Sequence, residues 1–295
     1  NWTTDNQLAY TFDIGNTSHN LLFGAEYQET DSSATYYDAG ANGTPNLDLS
    51  NPDFSQINTA TLPLDTYRQT QDIEQSQLGF YVQDEMKWQD LTVVAGLRHD
   101  NFESTTKQTD ASQGAVYNNE TFGNDASETS GRFAAIYDFD NGLSPFVSYS
   151  ESFQPVVGSN FITNEPFDPS TADQLEAGVK YLSPDRATKG TLAVFDITQQ
   201  NVVVTNPADY RQKVQTGEIE SQGFEISGSR MLNDWVDLAA SYSYTDAEIT
   251  EDEFNPDVVG NTPAQTAKHK ATLWADYYAT DKLTLNAGVR YEDGM

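Results

Sequence analysis

Residues 78–98 read LGFYVQDEMKWQDLTVVAGLR. Leu78, Phe80 and Val82 fall on one side of an extended chain, and Gln77, Gly79, Tyr81 and Gln83 on the other. A polar break at Trp88-Gln89-Asp90 follows. The alternation then resumes, with Leu91, Val93, Ala95 and Leu97 against Thr92, Gly96 and Arg98, and with Val94 as an apolar exception on the polar side. Successive side chains of a strand point to opposite faces, so these two runs predict an antiparallel hairpin with one apolar and one polar face.

The same unit recurs in both directions along the chain. Upstream, Leu8, Tyr10, Phe12 and Ile14 run into Gly15-Asn16, and Leu22, Phe23, Ala25 and Tyr27 follow. Downstream, Phe133, Ala135, Tyr137 and Phe139 lead to Asn141-Gly142, a strong hairpin signal, and then to Val147 and Tyr149. Leu175, Ala177, Val179 and Tyr181 precede Ser183-Pro184-Asp185, after which Ala193, Phe195 and Ile197 are expected on the apolar face. Phe224 and Ile226, then Val236 to Tyr244, Ala271 to Tyr277 and Leu283 to Tyr291 complete the series, with a turn at Asn233-Asp234. Within these runs Arg98, Arg132, Glu176, Lys180, Glu225, Asp237, Asp276 and Arg290 all take the side opposite the apolar row. On the lipid side near the midplane, a Lys or Arg costs about 2–4 kcal/mol. On a wet inner wall it costs little. Short turns at one end and long polar segments at the other complete the signature. The chain therefore reads as all-β: a transmembrane antiparallel β-barrel of the bacterial outer membrane, with about 12 strands in this stretch. Long extracellular loops are expected near 30–73, 104–128, 154–171, 200–213 and 250–266. Trp88, Phe139, Trp235 and Tyr277 cluster by the short turns, as a periplasmic aromatic girdle would.

Composition agrees. Only 37% of the 295 residues are hydrophobic and the mean hydropathy is −0.61, as a barrel permits because half of each strand and all its loops are polar. No run of about 18 apolar residues exists, so no transmembrane helix is expected. Cysteine is absent, which removes disulfides, thiolate metal sites and cysteine nucleophiles. A formal net charge of −30 argues against nucleic-acid partners. No nucleophile elbow or phosphate-cradling Gly-rich loop is present, so no catalytic role is expected. His19, His99 and His269 are scattered and lie outside the long loops, which counts against haem ligation, and Glu251-Asp252-Glu253 lacks calcium-loop spacing. No metal site or resident cofactor is expected. The chain starts at Asn1 and ends at Met295 directly after an alternating run, and it reads as part of a longer protein.

Several segments, taken in order, resemble TonB-dependent siderophore receptors. LGFYVQDE (Leu78–Glu85) and LTVVAGLRHD (Leu91–Asp100) resemble a consecutive strand pair of that family. SPFVSYSESFQP (Ser144–Pro155), FDPSTADQLEAGVKY (Phe167–Tyr181), TLAVFDITQQNVVVTNP (Thr191–Pro207), VQTGEIESQGFEI (Val214–Ile226) and SYSYTDAEIT (Ser241–Thr250) resemble its later signatures. The wording is most similar to the ferric hydroxamate branch, of ferrichrome or ferrioxamine type. The resemblance implies a parent barrel of about 22 strands with an N-terminal plug that would precede Asn1. It also implies a ferric siderophore as ligand, import energised through TonB–ExbB–ExbD, and an outer-membrane lipid and lipopolysaccharide setting. Cobalamin, haem or a glycan would be alternative cargoes of the same fold, and a passive porin an alternative class. Aromatics near the loop bases would meet the chelate: Tyr36, Tyr37, Tyr67, Tyr117, Phe122, Phe153, Phe161, Phe167 and Tyr210.

Overall fold

In the computed structural model, residues 1–38, 50–51, 53–56, 67–112, 115–158, 166–205, 213–215, 217–253, 255–264 and 266–294 are described. The strands are β1 (Trp2–Ile14), β2 (Thr17–Asp38), β3 (Tyr67–Trp88), β4 (Leu91–Ser112), β5 (Ala115–Tyr137), β6 (Leu143–Gln154) and β7 (Ser170–Leu182). They continue with β8 (Thr188–Gln200), β9 (Val203–Thr205), β10 (Lys213–Gln215), β11 (Glu218–Asn233), β12 (Val236–Glu251), β13 (His269–Thr280) and β14 (Leu283–Glu292). Twelve of them form one sheet in chain order, and β9 and β10 form a separate small hairpin. The strand count and the consecutive antiparallel pairing follow the alternation in the sequence.

The two faces can be traced strand by strand. One row across the sheet runs Ala135–Val147–Ala177–Val194–Phe224–Tyr244. The neighbouring row, on the opposite face, runs Ala134–Ser148–Glu176–Phe195–Gly223–Thr245. The apolar rows are exposed: Leu8, Tyr10, Phe80, Leu97, Val194, Leu273, Leu285 and Val289 all present their side chains outward. An apolar face this open is what a lipid environment requires. Trp88, Phe139, Trp235 and Tyr277 are exposed beside the short turns. The predicted charged residues hold the polar face: Glu225 stands opposite Ser243, Asp237 opposite Asp276, and Thr272 opposite Arg290.

Ala193, Phe195 and Ile197 depart from the expectation and lie on the polar face. They pair with Gly178, Glu176 and Gln174 on β7 and with Glu225, Gly223 and Ser221 on β11. Leu192 and Val194 take the apolar face instead. The run from Leu192 to Phe195 is apolar at every position, so periodicity alone cannot set its phase. The polar neighbours on both flanking strands do.

The strands also extend into three of the expected loops. β2 continues to Asp38 and β3 begins at Tyr67, inside the 30–73 segment. β4 and β5 fill most of 104–128, leaving only residues 113–114 between them. β9 and β10 lie within 200–213 or at its end. The reason is physical. β2, β3 and β4 have 22 residues each and β5 has 23, whereas a tilted membrane crossing uses about 9–11. Beyond the hydrocarbon neither face needs an apolar row, so the apolar–polar alternation that reveals a strand disappears while the backbone pairing continues.

Two compact units result. One comprises Asn1–Asp5, Glu26–Gly79 and Asn101–Ser127; the other comprises Asn6–Ala25, Phe80–Asp100 and Glu128–Met295. In the first, the buried side chains alternate along β4 as Phe102, Ser104, Thr106 and Asp110. In the second, aromatic rings cover glycines of neighbouring strands on the polar face: Tyr81 over Gly24, Phe146 over Gly178, Phe195 over Gly223 and Trp274 over Gly288. A ring laid on a bare backbone position fills the space that a missing side chain leaves.

The short turns follow local chemistry. Gln89 takes φ 52° in the two-residue turn between β3 and β4, which demands a left-handed residue. Gly142 takes φ 84° after the turn closed by its own N–H on the Phe139 carbonyl, and the Asn141 side chain accepts from the Leu143 N–H. Between β7 and β8, Asp185 accepts from the Ser183 hydroxyl at 2.5 Å and from the Ala187 N–H at 3.0 Å. These bonds, the Ser183 one foremost, hold the Asp185 carboxyl below its ordinary 3.8. A depressed carboxylate stabilises the fold above its unfolded pKa, and the contribution disappears as pH falls through the folded value. Acidification below 3.8 is therefore expected to loosen this turn, raising amide exchange at Ala187 and Thr188. Asp185→Asn is expected to abolish that acid response; unchanged exchange in the native protein down to the acid limit would refute it.

Candidate functional site

The aromatic candidates divide among the elements. Tyr36 and Tyr37 sit near the end of β2 and are 56% and 57% exposed. Being adjacent in a strand, they point to opposite faces. The Thr35 and Thr70 hydroxyls meet at 3.4 Å, which puts Thr35, and with it Tyr37, on the face away from the buried β4 row. Tyr36 therefore shares the face of Phe102, Ser104 and Thr106. Phe122 on β5 is half-buried, and Phe153 on β6 is half-buried in the other unit. The backbone of Tyr67 begins β3 and that of Tyr117 is the third position of β5, and their side chains lie outside the described residues. Phe161 and Tyr210 lie outside the described residues altogether.

Phe167 has a packing role. Its ring is 5% exposed and rests where a side chain on Gly158 would fall, and its N–H bonds to the Gly158 carbonyl at 3.1 Å. The segment after it is tied down by Gln215 of β10. The Asp168 N–H donates to Gln215 Oε1 at 2.7 Å, and Gln215 Nε2 donates to the carbonyls of Asp168 and Asn201 at 2.5 and 2.8 Å. Ser170 donates to the Gln200 carbonyl at 3.0 Å. A single amide side chain thus joins the stretch before β7 to β10 and to Asn201 before β9.

A polar cluster in the first unit has no counterpart among the sequence candidates. Asp110, 5% exposed, accepts from Gln69 and Gln108 at 3.0 Å each and from Asn118 at 3.1 Å. Gln71 donates to Gln108 at 3.0 Å. A buried carboxylate survives only when its oxygens are hydrogen-bonded, and three amides from β3, β4 and β5 do this here. The signal was present as polar residues spaced by two, at Gln69 and Gln71 and at Gln108 and Asp110. Without an apolar partner row it reads as an ordinary loop.

The polar wall of the second unit carries a second network. Gln7 donates to the Tyr81 hydroxyl at 2.8 Å, and the Arg98 guanidinium lies 5.6 Å from the centre of the Tyr81 ring. Arg98 also grips Asp100 through two bonds of 2.7 Å. Lys180 lies 5.1 Å from the centre of the Phe146 ring. These cations are held flat against the wall by rings and carboxylates.

The three histidines are all strand residues with side-chain partners: His19 with Asp84 at 2.7 Å, His99 with Thr129 at 2.8 Å and His269 with Tyr242 at 2.8 Å. Asp252 caps the turn after β12 by accepting from the Asn255 N–H at 2.8 Å. Among the described residues no group of three or more His, Asp or Glu side chains is placed to hold a metal ion.

Comparison with known proteins fits this architecture. Residues 1–294 match the family described as TonB dependent receptor-like, beta-barrel. The ferrichrome outer membrane transporter/phage receptor of Escherichia coli K12 is 35% identical over 302 residues, covering 99% of this chain and 38% of that protein. The ferrioxamine B receptor of Salmonella typhimurium SL1344 is 33% identical over 300 residues, covering 99% of this chain and 40% of that protein. The chain thus spans about two fifths of the length of these relatives. Among solved structures, the ferric-catecholate import receptor Fiu of E. coli K12 in its closed form superimposes with a TM-score of 0.76 at 24% identity, covering 98% of this chain and 44% of that one. The ferripyoverdine receptor of Pseudomonas aeruginosa gives 0.73 at 18% identity, covering 98% of this chain and 38% of that one. At these identities the structural likeness establishes the fold.

Proposed function

Because the chain belongs to the TonB-dependent receptor β-barrel family of the bacterial outer membrane, we propose that the protein containing it binds a ferric siderophore, of hydroxamate type, and imports it with energy delivered through TonB–ExbB–ExbD. One observation carries the substrate class: relatives that receive ferrichrome and ferrioxamine B are 35% and 33% identical across 99% of this chain. The long strands β2 to β5 and the loops beside them form the extracellular face, and the outer leaflet around the apolar rows is lipopolysaccharide. The work is binding and gated passage, with no bond made or broken.

The aromatic groups fit such a ligand. A ferric hydroxamate is bulky and has largely apolar flanks, so it gains from burial against rings. Tyr36 and Phe122 are the described candidates on the face that carries Phe102. Tyr67, Tyr117, Phe153, Phe161 and Tyr210 remain candidates by position, and Phe167 packs on Gly158.

The test uses the full-length protein, titrated with ferrichrome, ferrioxamine B, a ferric catecholate, haem and cobalamin and followed by tryptophan fluorescence. One ferric hydroxamate is expected to bind tightly and the others weakly. Tyr36→Ala is expected to weaken that binding about tenfold, the loss of roughly 1.4 kcal/mol of aromatic contact. Tyr37→Ala, on the opposite face, is expected to leave it unchanged. Preference for haem or cobalamin would overturn the substrate class, and steady ion conductance without TonB would indicate a porin.

A further inference from the structure

The glycines of the second unit fall into two groups. Gly24, Gly178, Gly223 and Gly288 on the polar face are each covered by an aromatic ring. Gly190 and Gly228 are different. They pair directly with each other across β8 and β11, and Gly228 pairs in turn with Ala240 of β12. Only backbone atoms approach within 4 Å of a side chain built at either glycine. This row belongs to the apolar face, between the row of Leu192, Ile226 and Tyr242 and the row of Thr188, Arg230 and Leu238. The result is an apolar groove of about 470 Å³ walled by Ile226, Leu238, Tyr242 and Leu273. It spans β8, β11, β12 and β13, with β14 still outside it, so strands added edge-on beyond β1 or β14 would not cover it.

The groove has one charged end. Arg230 lines it, is exposed, and is the single Lys or Arg on the apolar face of β8, β11, β12 and β13. Asp185 in the neighbouring turn senses its charge, yet among the described residues no carboxylate lies within ion-pair distance of it. Arg230 stands four positions before Asp234 of the short turn, roughly 13 Å along the strand. Exposed Leu232 and Trp235 mark the girdle there. An arginine at the periplasmic interface with an uncovered apolar trench leading from it toward the membrane centre has the charge and the shape of a phospholipid seat.

We propose that this groove holds one phospholipid of the periplasmic leaflet, with its phosphate on Arg230 and an acyl chain in the trench over Gly190, Gly228 and Ala240. The proposal stands on the outer-membrane barrel fold and is independent of the siderophore assignment. An anionic headgroup is favoured over a zwitterionic one, because the charged residues lining the groove, Arg230 and Lys189, are both cations and no carboxylate lines it.

The test is native mass spectrometry of the full-length protein in mild detergent, titrated separately with phosphatidylglycerol and phosphatidylethanolamine. The expected result is a single phosphatidylglycerol adduct that survives gas-phase activation. Arg230→Gln is expected to weaken it about tenfold and to erase the preference for phosphatidylglycerol. Ala240→Leu places a larger side chain in the trench and is expected to remove the adduct. Heat-modifiable electrophoretic mobility confirms that each variant is folded. Equal phosphatidylglycerol retention in both folded variants would overturn the proposal. So would a wild-type protein that carries no lipid, or one that forms a dimer which Ala240→Leu dissociates.

Discussion

Val194→Arg is expected to destabilise the barrel by about 2–4 kcal/mol, whereas Ser148→Arg, one row away on the other face, is expected to change stability by less than about 1 kcal/mol. Val194 is 54% exposed and flanked by Ala177 and Phe224 on the apolar face. It sits roughly 20 Å along β8 from the short turn, which a strand tilt of about 40° turns into about 15 Å of height, near the middle of an apolar band about 25 Å tall. A guanidinium there either loses its hydration or drags water into the hydrocarbon. Ser148 faces the wet wall and stands directly opposite Glu176. An arginine at 148 gains a cross-strand partner of opposite charge and stays hydrated. Urea unfolding of the full-length protein in lipid vesicles measures both. Equal effects of the two variants would mean that the faces have been assigned the wrong way round.

The contrast between these positions explains how much of the fold was legible. Val147 and Tyr149 alternate with Ser148 and Ser150, so β6 declares both its existence and its phase. β8 declares its existence only, because Leu192 to Phe195 is apolar throughout, and its phase is fixed by Glu176 and Glu225 on the neighbouring strands. Such long-range pairing is invisible to a local pattern. The outer halves of β2 to β5 were missed for the opposite reason. Where polar residues occupy both faces, a strand needs only a paired backbone and residues that favour extension, such as Thr105 and Thr106 of β4, and no hydrophobic period marks it. The candidate site suffered most from this. Asp110 and its amide donors are recognisable only once β3, β4 and β5 are aligned. The burial of Phe167 against Gly158 is likewise a contact between residues nine positions apart that no local pattern carries.

Gly223→Val is expected to prevent assembly of the barrel, at a cost of about 3 kcal/mol or more, and removing the neighbouring ring is expected not to rescue it. A side chain at Gly223 would collide with the backbone carbonyl of Tyr244 as well as with the Phe195 ring, whose tip lies 2.8 Å away. The ring can be trimmed, but the carbonyl belongs to the paired strand β12 and cannot withdraw without opening the sheet. Gly288 is the informative control. The atoms nearest to a side chain there all belong to the ring of Trp274, which is exposed and free to change rotamer. Gly288→Ala is therefore expected to cost less than about 1 kcal/mol and to become neutral in combination with Trp274→Ala. Heat-modifiable mobility of outer-membrane fractions distinguishes folded from unfolded protein for each single and double variant. Rescue of Gly223→Val by Phe195→Ala would show that ring crowding, and not the approach of the backbones, makes glycine necessary at that position.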